Sequence, residues 1–284
     1  MQHPQKWRET IDPFSLAYHS FQPLRVLGYP HAGNDVFHMQ GFYGHKEITA
    51  YVKVDRRKSN HLSNEISLLR QLDSPLIPRL IDAGQSPVLF TVTEELPGQR
   101  LSAIVGTNEN LCALPYLKEY GKALARIHTL TPKANAVPDR KFLHIPSAEL
   151  LDHVHLPHLA PFFSSPPKCE KTVFCHGDFH YANLLWEKQQ ISAILDFELA
   201  GYGDRDFDIA WSCFVRPGQT FLRTRRELDA FLEGYGSLAV CNTEAIQYYM
   251  AQCYVYFLSF CADDKDYCHF VREWLSGLPK QGAG

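Results

Sequence analysis

After a polar start, the chain runs through short apolar stretches separated by turn residues. Residues 24–28 form one apolar run and 36–40 a second, and 47–54 alternate apolar and polar residues through their centre. The connecting segments, 29–35 and 41–46, are rich in Gly, Pro and Asn, which favours tight turns. The pattern predicts antiparallel hairpins, preceded by a short helical segment near 13–18. Apolar residues then recur at 62, 66, 69 and 72, which predicts a helix over 62–72. Residues 88–93 read as a buried strand, closed by Pro97 and Gly98. Beyond Gly98 the pattern is mostly helical, with strand-like pieces near 173–175, 184–186 and 191–195. The expected division is a sheet-plus-helix region over 1–97 and a helix-rich region over 98–284.

A chain of 284 residues is long enough to bury a core without disulfide or metal staples. Its 28 basic and 31 acidic residues leave a formal charge of −3, which argues against a general nucleic-acid binder. The eight cysteines include no CxxC pair, and the N-terminal residues show no apolar signal region. A reducing, cytoplasmic setting is the expectation. The uncharged stretch 245–262 contains Gln247, Gln252, Ser259 and several tyrosines, so it reads as a buried helix and not a membrane span. The near-neutral total hides an acidic strip: residues 176–208 hold seven acids and two bases.

That strip carries the candidate chemistry. His176-Gly177-Asp178 is followed by Asn183, then by a hairpin-like stretch and Asp196-Phe197-Glu198. The order parallels the kinase pattern of a catalytic-loop Asp, an Asn five residues on, and a later Asp-Phe-Gly. Phosphoryl transfer needs metal ions to neutralise phosphate charge and a carboxylate to orient the attacking hydroxyl. Asn and Asp supply the oxygen ligands that a hard cation such as Mg²⁺ takes.

On these residues, together with a GDRDFDIAW run at 203–211, the chain resembles the aminoglycoside phosphotransferase/choline kinase family, the small-molecule branch of the protein-kinase-like fold. The resemblance implies an α+β, bilobal architecture: an N-lobe over 1–97 with an antiparallel sheet and a helix, and a mainly helical C-lobe over 98–284. It implies Asp178 as catalytic base, Asn183 and Asp196 as metal ligands, and His176 and Asp208 as supports of the loop. Glu198 stands where protein kinases have Gly, either near a second metal through water or facing solvent.

The kinase pattern also asks for a strand Lys paired with a helix Glu. Lys53 lies on the third predicted strand and Glu65 on the following helix. A Gly-rich phosphate loop of protein-kinase type is missing. Gly33 and Asn34 instead stand in a turn whose backbone N–H groups can face phosphate. Backbone groups from Glu94 to Leu96 are expected to hold the adenine. The donor is read as ATP, with GTP left open, and the metal as Mg²⁺.

Only eleven residues separate Asp196 from Asp208, which leaves little room for a peptide-docking segment. A small hydroxylated acceptor is therefore favoured over protein Ser/Thr, and the intact motif residues speak against a silent nucleotide-binding module. No nucleic-acid or membrane partner is expected. The acceptor residues stay open. Tyr248, Tyr249, Tyr254, Tyr256 and Phe257 form either an ammonium cage or core. Asp263, Asp264 and Asp266 form either a polyamine site or a solvated cap. Arg223, Arg225 and Arg226 form a surface run or meet an anion. His180 touches substrate or caps the loop. Cys253, Cys261 and Cys268 lack zinc-ligand spacing.

Overall fold

The computed structural model describes residues 11–30, 34–56 and 61–278. Gly33, proposed for the phosphate turn, lies outside the described residues. Strands β1 (Phe21–Gly28), β2 (Asp35–Tyr43) and β3 (Lys46–Val54) lead into helix α1 (His61–Leu69), then β4 (Leu80–Gly84) and β5 (Phe90–Glu94). They form one antiparallel sheet in the order β1-β2-β3-β5-β4. Side chains alternate between the two faces with period two. Phe37, Met39, Ala50, Val52, Val54, Phe90 and Val92 therefore meet in one buried layer. The same alternation turns Lys53, between buried Val52 and Val54, to the opposite face.

The remainder is mainly helical: α2 (Leu101–Val105), α3 (Leu114–Ile127), α4 (Ala148–His153), α5 (Ala160–Phe163), α6 (Arg205–Cys213), α7 (Arg225–Gly236), α8 (Thr243–Leu258) and α9 (Lys265–Ser276). Two small hairpin-like pairs interrupt it, β6 (Thr172–Cys175) with β9 (Gly201–Asp204), and β7 (Leu184–Glu187) with β8 (Gln190–Ile194). The molecule is thus α+β, with an antiparallel N-terminal sheet and a helical C-terminal part. Helices α3 and α7 touch backbone to backbone. A Cβ on Gly121 would stand 2.0 Å from the Phe231 carbonyl oxygen, and one on Gly234 2.0 Å from that of Lys118. A capping box of Thr224 and Glu227 fixes the start of α7. Helix α8 is buried on most sides, as its uncharged sequence suggests. No helix among the described residues is long and apolar enough to cross a membrane.

The boundaries differ from expectation in instructive places. Helix α1 ends at Leu69, and the early helical segment is a single 3₁₀ turn over Pro13–Ser15. Strands β4 and β9 carry no alternating apolar signal. In β4 the buried Asp82 carboxylate accepts the N–H groups of His19, Ser20 and Phe21, so a polar residue does the tying. In β9 the text is Gly-Tyr-Gly-Asp, and Gly201 lies so close to Asn135 and Val137 that no side chain fits.

Candidate active site

Strand β6 delivers the chain to His176, and the 3₁₀ turn Tyr181–Asn183 ends the loop that follows. Gly177 sits at φ +76°, and a Cβ there would fall 2.1 Å from the Leu199 carbonyl oxygen. Only glycine fits, which is the physical reason this loop reads His-Gly-Asp. Asp208, in the first turn of α6, accepts the backbone N–H groups of His176 and Gly177 at 3.0 Å each. The same carboxylate lies 3.1 Å from His128 Nε2. His176 is fully buried, with Nε2 3.1 Å from the Leu195 carbonyl and Nδ1 accepting the Asp178 N–H at 3.3 Å. A neutral ring protonated on Nε2 satisfies both bonds, and burial pulls the His176 pKa below its ordinary value.

The loop presents Asp178. Its Oδ1 accepts the Trp211 indole N–H at 2.8 Å, and its Oδ2 lies 3.3 Å from Asn183 Nδ2 and 3.6 Å from His180 Nε2. Burial alone would raise its pKa. The bond and charge of His180, the charge of Arg216 and the Trp211 bond outweigh it and hold the carboxyl well below the usual range. Asn183 also donates to the Asp178 carbonyl at 3.0 Å, and its own carbonyl accepts the Leu195 N–H at 2.8 Å. That last bond draws the loop against the segment carrying Asp196. His180 caps the turn by accepting the Ala182 N–H, and burial lowers its pKa.

Across the cleft, Lys53 Nζ lies 2.8 Å from Glu65, 3.1 Å from Asp196 and 3.2 Å from Glu198. Burial works against the ammonium, but the three carboxylates outweigh it and raise its pKa. Glu65 also accepts the Phe197 N–H at 3.0 Å. Burial and the neighbouring Asp196 and Glu198 push Glu65 up, against Lys53. Asp196 stands at φ +68°, a left-handed conformation that Asp tolerates better than most residues. Glu198 does not face solvent: it is buried and accepts from Asn34 Nδ2 at 2.5 Å. The carboxylates of Glu65, Asp196 and Glu198 are close enough to share one ion. They are hard oxygen donors, which suits Mg²⁺.

These groups border one cleft of about 990 Å³. Asn34, Lys53, Glu65, Glu94 and Leu96 line it from one side, and Asp178, Asn183, Asp196 and Glu198 from the other. Glu94 faces Arg79, whose N–H it accepts at 3.0 Å. Other residues of the site escaped the sequence reading. Trp211 stood there only as the end of the run 203–211, yet it holds Asp178. Arg100 and Arg140 line the cleft from segments without periodicity.

The aromatic and acidic clusters near the C-terminus resolve differently. Tyr248 and Tyr254 are buried, Tyr249 donates to Asp204 at 2.8 Å, and Phe257 packs on Phe214 and Phe142. Asp264 caps α9. Arg225 pairs with Asp229 at 2.7 Å, and Arg223 lies over the Phe270 ring. The Cys268 thiol donates to the Cys261 carbonyl.

Comparison with known proteins places the chain in a family and a fold. The model of the phosphotransferase enzyme family matches residues 33–241. An aminoglycoside 3'-phosphotransferase of Niallia circulans is 26% identical over 247 residues, covering 80% of this chain and 89% of that protein. A 51-residue stretch is 43% identical to mouse acyl-CoA dehydrogenase family member 10 but spans only 5% of it. Among solved structures, an amicoumacin kinase in complex with AMP-PNP, Ca²⁺ and its ligand superposes with a TM-score of 0.61 at 15% identity, covering 93% of this chain and 91% of that one. The macrolide 2'-phosphotransferase of Brachybacterium faecium gives 0.57 at 14% identity, with 90% and 93% covered.

Proposed function

The chain belongs to the phosphotransferase enzyme family, and from that premise we propose that it transfers the γ-phosphate of ATP to a hydroxyl of a small molecule, with Asp178 as the base. The observation that carries the reading is the convergence of Asp178, Asn183, Asp196 and Lys53 on one cleft. In this reading Leu96, Val36, Leu185 and Leu195 flank the adenine, with the lobe boundary at Pro97. Lys53, held by Glu65, binds the α- and β-phosphates. Asn34 lines the cleft on the same wall.

Asn183 and Asp196 would hold Mg²⁺, with Glu198 beside them. When bound, the ion would neutralise phosphate charge and orient the γ-phosphate. Asp178 stays ionised at neutral pH, so it orients the acceptor hydroxyl and takes its proton as the oxygen attacks phosphorus in line. Trp211 and Asn183 fix the carboxylate's direction. Asp208 and His176 hold the loop without touching substrate.

Incubation of the protein with ATP, Mg²⁺ and a hydroxylated-metabolite library, followed by mass spectrometry, tests the proposal. A phosphorylated metabolite that disappears with EDTA is expected. Phosphate found on protein, or on nothing, would overturn it.

A further inference from the structure

The acceptor side of the cleft is basic. Arg140 lines it, donating from Nη2 to the Gly177 carbonyl at 2.7 Å. Its guanidinium lies 4.7 Å from the centre of the Trp211 ring, the ring whose N–H holds Asp178. The Arg140 Nε is buried without a hydrogen-bond partner, and the side chain makes no ion pair among the described residues. A half-buried guanidinium with no carboxylate partner has donor capacity left for a ligand. Arg216 adds a second guanidinium 5.1 Å from the same ring, and it donates to the Trp211 and Phe214 carbonyls. Lys141 follows Arg140 directly, its ammonium over the exposed Phe260 ring at 4.6 Å. Two guanidinium groups, Arg140 and Arg216, thus flank the indole that holds the Asp178 carboxylate.

We propose that the acceptor carries an anionic oxygen group, a carboxylate or a phosphate, which Arg140 binds while Asp178 orients the neighbouring hydroxyl. The inference deepens the phosphotransferase reading and rests on it. A fork of guanidinium N–H donors matches two oxygens of either group. The field of Arg216, which also acts on Asp178, favours the same charge and repels a polycationic sugar. Neither the tyrosine cluster nor the acidic run that the sequence suggested lines this cleft.

The test compares matched acceptors with wild type, Arg140→Met and Arg140→Glu. Glycerate and 3-hydroxybutyrate supply the carboxylate, glycerol 3-phosphate the phosphate, and ethanolamine and kanamycin the amine. The readout is the ratio of kcat/KM for anionic against amino acceptors within each preparation, which does not depend on the folded fraction. Wild type should favour the anionic acceptors by ~10-fold or more, a factor that one charge-assisted contact supplies. Arg140→Met should bring the ratio near one, and Arg140→Glu should invert it. Whichever anionic arm dominates identifies the group. A wild-type preference for amines, no preference, or a ratio unchanged by both substitutions would overturn the proposal. Ligand-observed NMR with AMP-PNP and Mg²⁺ separates the two readings. If nothing is phosphorylated, the phosphotransferase reading fails. Selective binding of the anionic probes, lost in Arg140→Met, then still supports the Arg140 site, and its absence overturns it.

Discussion

The two walls of the cleft have opposite electrostatic composition. On the nucleotide side one ammonium, Lys53, meets three carboxylates within 3.2 Å. On the acceptor side one carboxylate, Asp178, is held by Trp211, whose ring carries the guanidinium groups of Arg140 and Arg216. The Lys53 cluster on the nucleotide wall is self-paired, so these four charges hold one another in place. The acceptor wall has cationic capacity left over, and unspent charge in a recess points to a ligand of the opposite sign. The walls meet at Asp178, which Asn183 reaches from one side and Trp211 from the other.

Substitutions should break this comparison in a graded way. Asp178→Asn removes the shared point. It should lower kcat by roughly 10²–10⁴-fold, with Mg-ATP affinity, measured by calorimetry, largely kept. Asp196→Ala breaks the nucleotide wall alone. It should weaken Mg-ATP binding on the order of 100-fold, and an unchanged affinity would remove Asp196 from the metal site. Trp211→Phe keeps an aromatic ring against both arginines but deletes the bond to Asp178 Oδ1. A drop of ~10-fold in kcat/KM is expected, with nucleotide affinity unmoved.

The smallest effect concerns pH. His176 is buried neutral, with a folded-state pKa below its ordinary value. The unfolded chain therefore takes up a proton before the folded one does. Stability should fall as pH drops through the ordinary histidine value of about 6.5 and level off below the folded-state value. In thermal melts, His176→Asn should be less stable at neutral pH but lose less between about pH 7.5 and 5.5. An equal loss in both proteins would place the acid sensitivity elsewhere.

The nucleotide wall was legible in the sequence because regular elements carry it. Strand alternation turns Lys53 away from Val52 and Val54, and helical spacing puts Glu65 on the next helix. The loop at 176–183 and Asp196 were legible as a motif, since one contiguous stretch holds them. What stayed hidden was long-range. Arg140 and Arg216 sit in connecting segments where no periodicity reports direction, and only the folded chain brings both to Trp211. Glu198 read as solvent- or metal-facing because its partners, Lys53 and Asn34, are more than a hundred residues away. The tyrosines of α8 were ambiguous for the opposite reason: an uncharged aromatic helix looks the same whether it lines a site or fills a core.

One measurement tests the central claim most directly: ³¹P NMR of the protein with Mg-ATP and a hydroxy acid. The account predicts a phosphomonoester resonance that grows as the γ-phosphate signal decays, and that is missing with Asp178→Asn. Loss of the γ-phosphate to orthophosphate alone, or an ester that forms equally with Asp178→Asn, would contradict it.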